Sequence, residues 1–142
     1  KKNLTAGEKL FLNYGTLGIR GEVENGFPSV RTKGLPSLYE AIGKGFRLND
    51  CLVHSLINLM TCVEDSTILW RKGPDALAMV KKAAGDILLS GSIYTEAGRN
   101  KISSFNDICI RENISPGGSA DLLTITISAY LLINRVFGVV KM

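Results

Sequence analysis

The longest apolar stretch of the sequence, residues 122–133, limits the fold more than any other feature. It holds Thr124, Thr126 and Ser128 but no charged residue, so a helix over this stretch is apolar on nearly all sides. Such a helix is typical of the centre of a bundle, where other helices pack around it. It is also shorter than the roughly 20 residues that a membrane-spanning helix needs. We therefore expect a buried core helix, with a membrane span as the weaker alternative.

Apolar residues recur at helical spacing along most of the remaining chain, and we find no convincing strand with a hairpin turn. The spacing predicts an all-α fold: a bundle of six helices without significant sheet, in which five helices surround the apolar C-terminal one. The predicted helices span residues 5–14, 36–45, 49–63, 74–89, 101–111 and 118–137.

The first helix has clear ends, and the segment after it has little pattern. Thr5 and Glu8 match a capping box at the start of the helix, and Gly15 matches a typical stop. Residues 15–34 contain several glycines and no sustained period, so we predict a loop with at most one helical turn. A loop of this length in a compact domain is usually functional or disordered. The predicted apolar face of the first helix consists of Leu10, Phe11 and Tyr14.

The composition fits a single ordinary domain. At 142 residues, with 45% hydrophobic and 21% charged residues, the chain can bury a sizeable core. Its net charge of +4 mildly favours anionic partners, although a slightly basic solvated surface is the simpler explanation. The chain begins with charged and polar residues rather than a secretory signal, and it lacks an initiator methionine. We therefore expect one helical domain, residues 1–142, that is the C-terminal portion of a longer chain.

The cysteines and the single histidine indicate neither a disulfide framework nor a metal centre. Cys51, Cys62 and Cys109 are odd in number, widely spaced and without a Cys-x-x-Cys pair. This usage fits a reducing cytoplasm best. His54 lies within an apolar helical pattern, which predicts a buried, hydrogen-bonded core histidine rather than a ligand.

Three polar clusters interrupt the helices, and the first contains Arg20, Gly21, Glu22 and Glu24. Glycine allows a ligand to approach the backbone closely. The two glutamates suit Mg²⁺ binding or general-base catalysis, and the arginine suits a phosphate. A solvated surface turn explains the same pattern equally well.

The second cluster, residues 65–73, follows directly on the third predicted helix. Asp65 suits a metal ion or a general base, while Arg71 and Lys72 suit phosphate groups. Taken alone, this cluster is explained more simply as a polar connection between helices with two exposed cations.

The third cluster contains Ser115, Gly117, Gly118, Ser119 and Asp121. The two glycines leave backbone N–H groups unshielded where a helix N-terminus offers unpaired donors and partial positive charge, which is a potential anion site. Asp121 suits a helix cap or a cation shared with the anion, and capping is the commoner role. Acids and phosphate-binding groups at three helix ends are together the ingredients of a metal–nucleotide site.

At these clusters the sequence resembles the triphosphoribosyl-dephospho-CoA synthase family, which makes the prosthetic-group precursor of citrate lyase, with related members serving malonate decarboxylase. The matching segments are GIRGEVENGFPSV (18–30), EDSTILWRKG (64–73) and NISPGGSADLL (113–123). Their order and spacing agree with the C-terminal half of the family. The chain departs from the family pattern at Thr67, where Asn is usual, and at Lys72, where Gly is usual.

The resemblance implies an all-helical cytoplasmic transferase that moves the 5-triphosphoribosyl group of ATP to the ribose 2-hydroxyl of dephospho-CoA and releases adenine. Such glycosyl transfer needs a carboxylate near the sugar, and Mg²⁺ with cationic side chains would hold the uncleaved triphosphate. The implied partners are ATP and dephospho-CoA, with a functional link to the acyl carrier protein pathway of citrate lyase or malonate decarboxylase. We expect neither nucleic acid nor a membrane as a partner and leave the oligomeric state open.

Carried over by position, the resemblance assigns roles to residues of each cluster. Glu22, Asp65 and Asp121 are predicted to be catalytic, and Asp65 and Asp121 are also predicted metal ligands. The predicted substrate-binding residues are Arg20, Gly21, Glu24, Arg71, Ser115, Gly117, Gly118 and Ser119. Because family members are longer, the chain would hold part of an active site and be inactive alone. Two alternatives stay open: a non-catalytic helical module for nucleotide or CoA, and a helical protein-interaction domain.

Overall fold

The computed structural model describes residues 3–140, with side chains described as far as Arg135. Within this range the chain forms eight α-helices and no strand, which confirms the all-α prediction. None of the helices in this range is both long and apolar enough to cross a membrane. The helices are α1 (Ala6–Tyr14), α2 (Ile19–Glu24), α3 (Leu35–Gly43), α4 (Leu48–Met60), α5 (Ser66–Lys72), α6 (Pro74–Leu89), α7 (Glu96–Arg111) and α8 (Gly117–Val140).

Two of these helices, α2 and α5, lie where we predicted loop or a break in the pattern. α2 occupies part of the glycine-rich segment, and the chain becomes helical again at Pro28 and continues through a π-helical turn, Val30–Gly34, into α3. α5 begins directly after Asp65, whose side chain caps it. The loop prediction was wrong here because helices of six and seven residues are too short to show a helical period.

The central helix of the bundle is α4. It contacts α3, α6, α8 and the π-helical turn, and it contributes to all three apolar clusters of the core. At about 3.6 residues per turn, its buried positions point to all sides of the helix. These buried residues are Cys51, His54, Ser55, Ile57, Leu59 and Met60.

The prediction that α8 is the enclosed central helix is not confirmed. The first half of α8 buries one face, through Ser119, Leu122 and Thr126, and packs on α4, α5 and the π-helical turn. Further along the helix, Leu131 and Leu132 are 59% and 65% exposed. An apolar sequence shows that a helix lacks a polar face, but not that other helices cover it.

α1 has the predicted ends but not the predicted buried face. The capping box is present, because the Thr5 N–H donates to Oε2 of Glu8 at 2.7 Å and the Glu8 N–H donates to Oγ1 of Thr5 at 3.3 Å. Gly15 ends the helix in the left-handed conformation. Leu10 is buried, and α1 packs on α5. The other two residues of the predicted face, Phe11 and Tyr14, are exposed.

The π-helical turn lies directly against α8. A Cβ atom at Gly34 would be 2.4 Å from Oγ1 of Thr126, so this approach requires a glycine. The Gly34 carbonyl accepts hydrogen bonds from the hydroxyls of Ser37 and Ser55, at 3.0 and 2.9 Å. These hydroxyls satisfy a buried carbonyl where the regular helical ladder is interrupted. The chain that follows the first polar cluster is thereby fixed against α4 and α8.

His54 is a buried core residue, as predicted. It is 5% exposed, and its Nδ1 lies 2.8 Å from Oγ of Ser92. Burial lowers the pKa of His54 below its usual value, while the nearby Glu40 carboxylate raises the pKa to a smaller extent. The imidazole is therefore held in its neutral form in the core.

We predict that His54 makes the protein less stable in mild acid. Because its pKa is lower in the folded state, the unfolded chain binds a proton first as the pH falls through about 6.5, and stability falls with it. Urea denaturation should show the free energy of unfolding dropping more between about pH 7.5 and about pH 5.5 in the wild type than in His54→Gln. Gln keeps a hydrogen-bonding group for Ser92. Equal pH dependence of the two proteins would rule His54 out as the responsible group.

Candidate functional site

The second and third polar clusters meet at the carboxylate of Asp65, which is 1% exposed. Its Oδ1 accepts hydrogen bonds from the N–H groups of Thr67, Ile68 and Gly118 at 3.1, 3.2 and 3.1 Å. Its Oδ2 accepts from the N–H and the hydroxyl of Ser119 at 2.8 and 3.0 Å. One carboxylate therefore caps α5 and the N-terminus of α8 at the same time.

The glycines and the helix end predicted an anion site at the N-terminus of α8. The anion that lies there is the carboxylate of Asp65. The N–H groups of Gly118 and Ser119 donate to this carboxylate, and that of Gly117 donates to the Ser115 carbonyl at 2.9 Å. The partial positive charge of the helix end is thus balanced inside the protein. Phosphate binding by these three residues stays a prediction, and it would require Asp65 to move.

The geometry favours a positioning role for Asp65 over the predicted metal and base roles. An ionised carboxylate offers about four lone-pair positions, and this one already accepts five hydrogen bonds. While these bonds are in place, no lone pair is free for a metal ion or a transferred proton. Asp65 instead sets where the residues on either side of it lie.

Glycines let the first and third clusters pack against the second. A Cβ atom at Gly117 would be 2.7 Å from Oγ1 of Thr67, and one at Gly18 would be 3.3 Å from Cβ of Ser66. Gly18 also has a φ of +57°, a conformation that side chains disfavour. The segment before α2, the first turn of α5 and the start of α8 are therefore in direct contact, so the three clusters converge.

Two adjoining clefts lie at this convergence, and Gly18 and Ser66 line both of them. The first cleft has a volume of about 290 Å³ and is lined by residues of all three clusters, among them Glu22, Ser66 and Gly118. The second cleft has a volume of about 380 Å³ and lies on the other side of Ser66, towards α1. The structure thus offers two neighbouring spaces rather than a single pocket.

Arg20 and Arg71 both line the second cleft, together with Trp70 and Thr67. Guanidinium groups bind phosphate oxygens through two parallel hydrogen bonds. The indole of Trp70 is 52% exposed, and an aromatic face of this kind can stack on a planar ring. The second cleft therefore combines groups for phosphate with a surface for a base.

Among the acidic residues predicted for the site, Glu22 is both held in place and available at a cleft. Its carboxylate accepts hydrogen bonds from the Ser29 N–H at 3.1 Å and from the Ser29 hydroxyl. These two bonds use about half of its lone pairs, and Glu22 lines the first cleft beside Gly21. Among the three predicted catalytic residues, Glu22 is the best placed to act on a bound ligand.

Three of the predicted site residues lie elsewhere. Glu24 and Asp121 are exposed and are not among the residues that line the two clefts. Ser115 lines a separate groove of about 760 Å³, whose walls are mainly apolar residues of α4 and α7. The catalytic, metal-binding and substrate-binding roles predicted for these residues stay predictions that the geometry does not favour.

The described residues do not form a metal site by themselves. In the part of the chain that the structure describes, no three aspartate, glutamate, cysteine or histidine side chains are grouped as metal ligands. Asp65 is fully engaged by backbone and hydroxyl donors, and Glu22 is held by Ser29. The described residues alone therefore do not supply three ligands for a resident Mg²⁺, and the hydrogen bonds of Asp65 disfavour it as one of them.

Three residues that line the clefts were not predicted as site residues: Thr16, Ser66 and Trp70. Thr16 and Ser66 line both clefts, but a single hydroxyl residue in a loop or at the start of a short helix gives no signal in a sequence. Trp70 had a usable signal, because it is the only tryptophan of the chain and directly precedes Arg71 in a polar segment. We treated that segment as a break between helices and therefore did not consider its aromatic residue.

Comparisons with known proteins agree with this picture. A family model described as ATP:dephospho-CoA triphosphoribosyl transferase matches residues 1–137. A protein of Malonomonas rubra named "Probable 2-(5''-triphosphoribosyl)-3'-dephosphocoenzyme-A synthase" is 44% identical over 137 residues, which are 96% of this chain and 43% of that protein. A protein of Streptococcus equi subsp. equi with the same name is 39% identical over 137 residues, covering 95% of this chain and 45% of that protein. The 2-(5''-triphosphoribosyl)-3'-dephosphocoenzyme-A synthase of Klebsiella pneumoniae is 36% identical over 125 residues, with 88% and 41% covered.

The chain spans less than half the length of these relatives. No solved structure matches it.

We predict that Asp65→Asn lowers the free energy of unfolding by about 3 kcal/mol, because the amide nitrogen cannot accept the hydrogen bonds that converge on the buried carboxylate. Urea denaturation followed by circular dichroism measures this. The matched control is Asp121→Asn, an exposed position where we expect a change within about 0.5 kcal/mol. If the two variants were equally stable, Asp65 would not hold α5 and α8 together.

Proposed function

We propose that this chain, which belongs to the ATP:dephospho-CoA triphosphoribosyl transferase family, provides the nucleotide-binding part of a transferase active site. The reaction moves the 5-triphosphoribosyl group of ATP to the ribose 2-hydroxyl of dephospho-CoA and displaces adenine. One observation carries this proposal: the three polar clusters converge on two adjoining clefts, one lined by Arg20 and Arg71 and the other by Glu22.

The second cleft is where we place ATP. The reaction leaves the triphosphate intact, so the protein has to hold this group rather than cleave it. Arg20 and Arg71 provide the positive charge and the paired donors for that task. Trp70 lies in the same cleft, where its indole can stack on adenine. The ribose would then lie towards Ser66, at the border between the two clefts.

Glu22 is the carboxylate that we assign to the chemical step. Displacement of adenine at the ribose carbon passes through a state with positive charge on the sugar, which a nearby carboxylate stabilises. The same carboxylate can take the proton from the attacking hydroxyl of dephospho-CoA. Because Ser29 fixes Glu22 through two hydrogen bonds, little reorganisation is needed at the moment of reaction.

The proposal also includes the second substrate, the metal ion, the acyl carrier protein and the cellular compartment. We place the 2-hydroxyl of dephospho-CoA in the first cleft, within reach of Glu22. Mg²⁺ remains a proposal only as an ion that enters with the triphosphate, because the described side chains do not form a site for it. The product would serve the acyl carrier protein of citrate lyase or of malonate decarboxylase. A cytoplasmic setting is supported by three free cysteines, Cys51, Cys62 and Cys109.

The alternative is a module that binds nucleotide without transferring it. Departing adenine has to be protonated, and the single histidine of the chain, His54, is buried in the core rather than placed at a cleft. The acid for this step is therefore a different residue or lies on another polypeptide. A chain that covers less than half of its relatives can keep the binding groups and lack the acid.

We predict that ATP binds in the second cleft and changes the fluorescence of Trp70. Because this is the only tryptophan, its signal reports directly on the cleft. Arg20→Ala and Arg71→Ala should each raise the Kd for ATP about tenfold, since each removes a charge-assisted contact worth about 1.5 kcal/mol or more. Calorimetric titration gives the Kd independently of the fluorescence.

Lys72→Ala is the matched control for Arg71→Ala. It removes a neighbouring exposed cation that is not among the cleft-lining residues, so the Kd should change less than about twofold. Equal losses in the two variants would mean that general positive charge, and not the cleft, binds ATP. A failure of wild-type ATP binding would contradict the assignment of this cleft.

A second prediction separates the transferase from the binding module. If the chain provides the catalytic carboxylate, adenine is released from ATP only when dephospho-CoA is present. Chromatography measures the released adenine. Glu22→Gln should then lower the rate about 100-fold with little change in the Kd for ATP, because it removes a proton acceptor rather than a phosphate contact. The assay is run with this chain alone and with this chain co-expressed with the part of the Malonomonas rubra relative outside the 137 matched residues. ATP binding without adenine release in both preparations would favour the binding module.

A further inference from the structure

The first two helices expose an unusual amount of apolar surface. α1 buries a single residue, Leu10, and α2 buries none. The large apolar side chains of this region point instead to solvent, and Leu12 is 67% exposed. We call the α1–α2 face the exposed apolar surface formed by Leu4, Phe11, Leu12 and Leu17, which line one depression.

This surface is continuous with the second cleft, where we place ATP. A depression of about 550 Å³ is lined by Leu4, Phe11, Leu12 and Leu17. It shares Leu17 and Arg20 with the second cleft. The α1–α2 face and the second cleft therefore meet along one edge. Any polypeptide that covers the face also borders this cleft.

Weak helix formation does not explain this exposure, because α1 has a complete capping box and a glycine stop. A well-formed helix that turns Phe11 and Leu12 outward presents a face without a partner. Large contiguous apolar patches are uncommon on monomeric proteins and usually mark interaction surfaces. Leu48 and Leu89, by contrast, are each a single exposed side chain at a helix end, which is normal.

We propose that the α1–α2 face docks the part of the family polypeptide that this chain does not span. This chain matches only 43% of the Malonomonas rubra relative, so more than half of that protein has to pack somewhere on the matched region or beside it. The α1–α2 face is the large apolar surface that borders the candidate site. A polypeptide seated there closes the ATP cleft at Arg20 and excludes water from it.

The test is co-purification of this full chain, carrying an affinity tag, with the part of the Malonomonas rubra relative that lies outside the 137 matched residues. The two are expressed together, so neither has to be stable alone. We expect the wild-type chain to retain the relative's segment in a one-to-one complex. Phe11→Glu and Leu12→Glu, which place a charge on the face but lie outside the two candidate clefts, should reduce the retained amount at least tenfold.

Leu89→Glu is the matched control, because this residue is 88% exposed at the end of α6 and away from the face in sequence and structure. It should leave the complex intact. Melting followed by circular dichroism checks that all three variants remain folded, as expected for substitutions of exposed side chains.

Three results would overturn the proposal: no complex with the wild-type chain, a complex that ignores the charges on the α1–α2 face, or one that Leu89→Glu disrupts equally. A dimer of this chain alone that Phe11→Glu dissociates, seen by light scattering, would assign the face to a second copy instead. The ATP titration uses the chain by itself, so failure of docking and failure of nucleotide binding are separate outcomes.

Discussion

The Asp65 carboxylate is the interaction on which the candidate site depends. It is a buried negative charge that faces the N-termini of two helices, and five hydrogen bonds compensate for its removal from water. Those bonds join α5 to α8 across more than 50 residues of sequence. Gly117 and Gly118 then have to be small, because a side chain would collide with Thr67 or press on Asp65. The positions of the residues around the clefts follow from this one contact.

Local chemistry made much of the fold predictable, and tertiary contacts account for the rest. The ends of α1 and the start of α6 at Pro74 rest on caps and proline geometry, which act within one turn and are visible in sequence. α5 has a local cap in Asp65, but its seven residues are too few to show a helical period, and the contact of the same carboxylate with α8 is not visible in sequence. The choice of α4 rather than α8 as the central helix was equally hidden. α4 has buried polar residues such as His54 and Ser55. Its sequence is therefore only moderately apolar, although the helix is largely buried.

Tertiary contacts also limit how much of the candidate site can be predicted from the sequence. The sequence pattern located the three clusters, since glycine, acid and arginine mark such places, but it did not show that the first lies on α2 and the second on α5. It could not distinguish an anion site filled by a phosphate from one filled by the protein's own aspartate, because both require the same glycines and the same helix N-terminus. Of the three residues predicted to be catalytic, Glu22, Asp65 and Asp121, our proposal keeps Glu22, because Ser29 holds its carboxylate and it lines the first cleft. Only the folded chain shows which carboxylate has lone pairs to spare.

The proposed chemistry also explains why the clefts should border an uncovered surface. Transfer of a sugar to a hydroxyl competes with transfer to water, so the charged sugar has to be shielded from solvent. The clefts of this chain are open depressions, and Arg20 lies where the second cleft meets the α1–α2 face. Covering that edge would lower the local dielectric, strengthen the attraction between the arginines and the triphosphate, and exclude the competing nucleophile. A site divided in this way would bind its nucleotide weakly until the second polypeptide segment arrives, so that ATP is committed to reaction only in the assembled protein.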